Sequence, residues 1–166
     1  TQYNSIFIYA LPLFFIMMML FAIYTGKNKL MHEYMLLLKH SGLKSPDFVD
    51  KFSDFTVIFN MGVNGLFATL FVIFIKGDLN GPIIGSIFTI VGFSATGKHI
   101  RNIAPVMFGV FIASAMKLWV ITDPAPLMTL ILSTTLAPIA GEFGVFAGIL
   151  AGFLHSSVAL NVGVVY

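Results

Sequence analysis

Long apolar runs separated by short polar intervals dominate this chain. A helix needs roughly 20 mainly apolar residues to cross a ~30 Å hydrocarbon layer. Runs of that length lie near residues 5–24, 55–75, 79–97 and 102–122. Pro12 is tolerable in the first, because neighbouring helices can satisfy the carbonyl that a proline frees. After Asp123-Pro124-Ala125-Pro126 come two further pieces, near 127–140 and 143–166, parted by Pro138, Gly141 and Glu142. The first of these is about 21 Å of helix, so it is expected to be a short tilted span or a re-entrant half-helix. The pattern predicts an all-α, polytopic transmembrane helix bundle of about six spans or half-spans, with helices broken by proline and glycine. It forms one transmembrane domain over residues 1–166.

The interval 26–54 differs from the other connections. Leu30, Tyr34, Leu37 and Leu38 recur at helical spacing among Lys29, Glu33, Lys39 and His40, and Ser45-Pro46-Asp47 reads as a helix start with a cap and a proline in the first turn. Two short amphipathic helices on the membrane surface fit this connector. Lys27, Lys29, Lys39, Lys44 and Lys51 lie in it, and Lys98 and Arg101 in the turn before the fourth span, whereas the alternate loops carry one basic residue, Lys76, beside the acids Asp78 and Asp123. By the positive-inside rule, 26–54 and 98–101 face the cytoplasm of a plasma-membrane protein.

Composition narrows the class further. Apolar residues make up 58% of the chain and charged residues 10%, against about 25% charged in a soluble domain. That excludes disorder, a nucleic-acid module and most soluble enzymes, so no nucleic acid or nucleotide partner is expected. The absence of cysteine excludes disulfides, thiolate metal sites and thiol catalysis. A signal peptide does not fit, because the first charge is Lys27, after the apolar run. The chain opens on Thr1 without a methionine and stops in an apolar run, so it is expected to be a fragment with the remainder of a parent chain, the lipid bilayer and a homo-oligomer as its partners.

Polar groups inside the spans are the candidate chemistry, since an ionisable group there costs ~2.5–3.5 kcal/mol on insertion scales. Glu142 follows Gly141, at the expected start of the last helix, where the helix dipole favours a carboxylate. It is a candidate proton or cation site, or else an interfacial partner for Lys98 or Arg101. His155 is a second pathway candidate, with a satisfied packing role as the alternative. Asn60 and Asn64, four residues apart, share a helical face and either line a polar path or lock two helices together. Lys117 can snorkel outward.

Repetition and glycine spacing bear on assembly. A shift of 56 residues sets Gly81-Pro82-Ile83-Ile84-Gly85 on Ala137-Pro138-Ile139-Ala140-Gly141, Gly92 on Gly148 and His99 on His155. That is the signature of an inverted repeat with a midplane site at the Pro138 and Gly141 helix break. Ala140, Gly144, Gly148, Gly152 and Ser156 form a ladder of small residues, and Gly109 with Ala113 a shorter one, which let helices approach closely.

Two motifs resemble chemistry without carrying it. Gly92-x4-Gly97-Lys98 looks like a phosphate-binding loop, but His99 replaces the Ser or Thr that would hold magnesium and Pro105 follows too soon. His32-Glu33 begins like H-E-x-x-H, but Leu36 stands at the second ligand position. No catalytic constellation, cofactor site or metal site is expected.

Gly81-Pro-Ile-Ile-Gly85 with Gly92, then Gly97-Lys98-His99 with Asn102, Leu136-Ala-Pro-Ile-Ala-Gly141-Glu-Phe-Gly144 and Gly152-Phe-Leu-His155 together resemble a family of uncharacterised bacterial integral membrane proteins, mostly of Gram-positive bacteria. The resemblance runs from about Phe48 to Tyr166 and implies a class and an origin, in a longer protein, without an activity. The plan of broken helices is also similar to that of urea-type and other small-solute channels. The chain is therefore expected to belong to a transporter or channel for a small solute or ion, with a non-transporting membrane subunit or scaffold as the alternative.

Overall fold

A computed structural model describes residues 2–43, 47–117 and 119–162, which form helices joined by short turns, with no strand among them. The elements are α1 (Gln2–Leu37), α2 (Phe48–Lys51), α3 (Asp54–Phe74), α4 (Gly81–Phe93), α5 (Ile100–Met116), α6 (Pro124–Leu132), a 3-10 turn (Ser133–Leu136), α7 (Ala137–Phe143) and α8 (Val145–Val162). Four segments are long and apolar enough to cross a membrane: Ile6–Leu37, Asp54–Phe74, Pro124–Phe143 and Val145–Val162. Large apolar side chains face outward, Phe74 and Phe146 being 81% and 88% exposed. Such a surface is stable in lipid and not in water, so the chain is a membrane protein.

Lys27, with φ 45° and ψ −130°, breaks α1 into two helices. The first packs antiparallel on α3 through glycines: Gly26 meets Phe55, Gly62 meets Phe15 and Met19, and the Phe15 ring covers Gly65. The second belongs to the connector and folds onto the start of α3. There Tyr34 packs edge-on against Phe59 with ring centroids 4.9 Å apart, and Glu33 accepts hydrogen bonds from the Ser53 and Thr56 hydroxyls. The amphipathic connector is thus anchored to the bundle. Its second expected helix is present as α2; Ser45 and Pro46 lie outside the described residues.

The remaining helices gather around α5, which meets α6, α7 and α8, while α4 packs on α3 and α6. Asn80 caps α4, its side chain accepting from the Ile83 N–H at 3.1 Å, with Pro82 in the first turn. Thirteen residues, about 20 Å, bring α4 to its end at Phe93. The element is therefore shorter than the 79–97 span expected from hydropathy, and α5 likewise ends before 122. Helices α5 and α8 run parallel, Pro105 lying on Gly148 and Val106 on Gly152. The stretch from Pro124 to Phe143 descends from Leu127, beside Gly77, to Gly141, beside Ser41.

Several glycine and proline expectations shift in detail. The last helix starts at Val145, and the break lies at Gly144, whose φ of +91° suits glycine. Pro138 sits in the first turn of α7 and Gly141 inside it, where Gly permits the Ser41 carbonyl to approach. The small-residue ladder is thereby split: Gly148 and Gly152 pack tightly, whereas nothing lies within 4 Å of a side chain built at Gly144. The 56-residue self-similarity sets the unbroken α4 against a stretch interrupted at Gly144, so it does not extend to element boundaries.

Replacing Gly152 by Val is expected to destroy the α5–α8 contact, because even a methyl there overlaps the Val106 carbonyl. Gly85→Ala, which meets open space, should be neutral or slightly stabilising. Yield of monodisperse protein and its thermal midpoint in detergent check both outcomes.

Candidate functional site

Helix α4 stops beside the interior of α3, which creates a problem of unsatisfied carbonyls. The last four carbonyls of a helix have no partner in the helix, and in an apolar layer water cannot supply one. Here the Ser94, Ala95, Thr96 and Lys98 N–H groups of the turn that follows take the carbonyls of residues 90–93, which leaves the turn's own carbonyls to be met by Asn60 and Asn64 on α3. The Asn60 amide donates to the Ser94 and Lys98 carbonyls, each at 2.8 Å. The Asn64 amide donates to the Ser94 hydroxyl at 2.6 Å and to the Lys98 carbonyl at 3.2 Å. Both side chains are fully buried. They lie about 9 and 15 Å from the Asp54 end of α3, so residues 94–98 turn deep inside the bundle rather than beyond the end of the spans. Of the two roles expected for this pair, the geometry is that of a lock between α3 and the turn. Because both acceptors of Asn60 are carbonyls, its nitrogen must face them, and the Oδ1 atoms of both asparagines are left without a hydrogen-bond partner.

The turn carries Lys98 inward with it. Its ammonium donates to the Thr134 hydroxyl at 3.1 Å and lies 4.8 Å from the centroid of the Phe93 ring. Lys98 is 7% exposed, and no carboxylate pairs with it among the described residues. Beside it lies a cavity of about 190 Å³ lined by Gly42, Phe93, Thr96, Lys98, Thr135 and Pro138. A buried cation with a hydroxyl and an aromatic face, but no counter-charge, is arranged to receive an electron-rich group.

On the other side of the turn, His99 precedes α5, and Asn102 closes the helix start, accepting from the His99 N–H at 2.9 Å and donating to the Gly97 carbonyl at 3.0 Å. The His99 Nε2 lies 2.7 Å from the His40 carbonyl. A carbonyl only accepts, so Nε2 carries the proton. The connector follows the turn closely: the Val49 N–H donates to the Ala95 carbonyl at 3.3 Å. Gly42, with φ +78°, approaches Gly97 so closely that a side chain would strike the Gly97 carbonyl. Burial, then the charge of Lys51, lowers the pKa of His40.

The remaining candidates from the sequence lie elsewhere. Glu142 is exposed near the end of α7 instead of at the start of α8, and it forms no ion pair with Lys98 or Arg101 among the described residues. His155 is half-buried on α8 and does not line the Lys98 cavity. Pro138 does line it, whereas Gly141, Gly144, Gly148 and Gly152 do not. Lys98 and Thr134 are the residues that charge counting and motif reading missed. Their signal is the shortness of α4: a helix of this length that starts at the membrane edge cannot reach the opposite one.

Asn60→Leu is expected to leave the Ser94 and Lys98 carbonyls short of donors, at a cost of about 1–3 kcal/mol, and to loosen the turn. The chain has no cysteine, so a single Ala95→Cys reports on this. Its labelling by a thiol reagent should speed up roughly tenfold in the Asn60→Leu background; an unchanged rate means the lock is not needed.

No curated protein and no solved structure is significantly similar to the chain. A family model described as "Protein of unknown function (DUF1576)" matches residues 26–166. The match takes in the connector as well as the helices from α3 onward, so it includes every residue of the turn, its asparagine lock and the Lys98 cavity. The chain therefore belongs to the DUF1576 family of proteins of unknown function.

Proposed function

We propose that this membrane protein passes a small polar solute across the bilayer, and that Lys98 binds the solute on its way. The observation that supports this most directly is a lysine that is 7% exposed, has no carboxylate partner among the described residues and borders a cavity. Keeping a charge at such depth costs ~2.5–3.5 kcal/mol on insertion scales, a cost that a structural residue such as methionine would avoid. The cation disfavours a metal-ion cargo and favours a solute with an anionic or acceptor-rich group. Helices that end part-way through a bundle, as α4 does, also accompany solute sites in known transporter plans. Asn60 and Asn64 support the wall of this site, Glu142 and His155 stand outside it, and no enzymatic step is assigned.

The plasma membrane is the location this reading requires, with residues 26–54 on the cytoplasmic side, in line with the lysines they carry. An impermeant thiol reagent added to intact cells should then label Lys76→Cys and spare Lys51→Cys; the reverse pattern inverts the topology.

A second reading, a non-transporting subunit or scaffold, is favoured by the asparagine lock and by the close α5–α8 packing, both of which make a rigid bundle. Swelling of proteoliposomes in formate, acetate, phosphate, urea or glycerol separates the two. Transport predicts swelling by at least one solute that Lys98→Met reduces about tenfold or more, while Lys98→Arg keeps a part and Glu142→Gln changes it little. Flux that is unaltered in Lys98→Met removes the lysine from the pathway, and no flux above that of empty vesicles favours the scaffold.

A further inference from the structure

A second cavity, of about 290 Å³, opens where three distant segments meet: the end of the connector helix, the start of α5 and the joint between α7 and α8. Its walls carry Lys39, His40, His99 and Arg101, together with the bare backbone of Gly141 and Gly144. No carboxylate lines it. Lys39 and Arg101 are exposed and free to bend inward, apart from a long 3.4 Å contact from Arg101 to the Leu38 carbonyl. His99 is held in place by its bond to the His40 carbonyl; it is 2% exposed and its Nδ1 has no hydrogen-bond partner.

The α7–α8 joint adds backbone donors. Within α8 and its cap, the first main-chain bond runs from the Gly148 N–H to the Gly144 carbonyl at 3.1 Å, so the N–H groups of residues 145–147 precede any acceptor in their own helix. The positive end of an 18-residue helix dipole lies at the same place. Two flexible cations and the start of α8 at Val145 offer more donors than a carboxylate has oxygens to use, and they match the several acceptor oxygens of a phosphate. The cavity also lies at the connector end of the bundle, where basic residues concentrate and where pockets between membrane helices take lipid headgroups.

We propose that this cavity is a binding site for a phosphate group, held by Lys39 and Arg101 over the start of α8, the group being either that of an anionic lipid or free phosphate. The site is separate from the Lys98 cavity and stands whether or not the protein transports.

The test uses the intact protein, purified in dodecyl maltoside and stripped of lipid, with its thermal midpoint followed against added sodium phosphate, sodium chloride of equal ionic strength, phosphatidic acid or phosphatidylcholine. A rise with phosphate or phosphatidic acid is expected, at concentrations about tenfold higher for Arg101→Gln or Lys39→Gln than for the wild type. Lys76→Gln, outside the cavity, controls for the loss of a charge. Stabilisation by both ligands identifies the phosphate group itself, by phosphatidic acid alone a lipid headgroup, and by phosphate alone a free anion. Two results overturn the proposal: no stabilisation by either, or stabilisation to the same extent in both variants and the wild type.

Discussion

Two asparagine amides make the architecture possible. In a hydrocarbon layer an irregular turn is tolerated only where its carbonyls find donors, and the turn after α4 finds them in Asn60 and Asn64, which reach across from α3 to the Ser94 and Lys98 carbonyls. Every other feature of the interior follows from that turn. The chain turns at depth, Asn102 and His99 start α5 from inside the bundle, and Lys98 is carried to a position where its ammonium meets Thr134 instead of water.

The connector completes the same arrangement from outside. Surface helices that merely link two spans need no specific bonds to the core, yet this one bonds its His40 carbonyl to His99 and its Val49 N–H to the Ala95 carbonyl. It also closes onto Gly97 through Gly42. The turn between α4 and α5 is therefore gripped on two sides, by α3 from within the bundle and by His40, Gly42 and Val49 of the connector from its end. Backbone polarity exposed by the turn is shared between these partners, which is how an irregular segment is tolerated among apolar helices.

Close helix contacts supply the rigidity around this centre. The absence of side chains at Gly109 and Gly152 lets α5 and α8 meet backbone to backbone, and Gly62 and Gly65 on α3 make room for the Met19 and Phe15 side chains of α1. Packing of this kind stabilises helices in lipid, where burial of apolar surface contributes little because the lipid is itself apolar. It holds the walls of both basic cavities in place without polar side chains of its own.

Much of this was legible in the residues alone. The helical, membrane class comes from run length and charge scarcity, which are local and one-dimensional: the thickness of a bilayer sets a count of apolar residues that can be read in order. The asparagine pair on one face of α3 and the packing role of Gly148 and Gly152 were visible in the same way, through helical spacing. What the chain could not reveal by itself was the choice of partners. Asn60 finds acceptors 34 and 38 residues away, and His99 finds its own 59 residues back, so only the tertiary structure decided that the asparagines lock rather than line. It also decided that the break falls at Gly144 and not at Gly141, since the Ser41 carbonyl occupies the space beside Gly141. Lys98, by sequence a marker of one membrane face, became an interior cation for the same reason: the depth of a residue in a turn depends on where that turn is held, and this one is held by side chains of another helix.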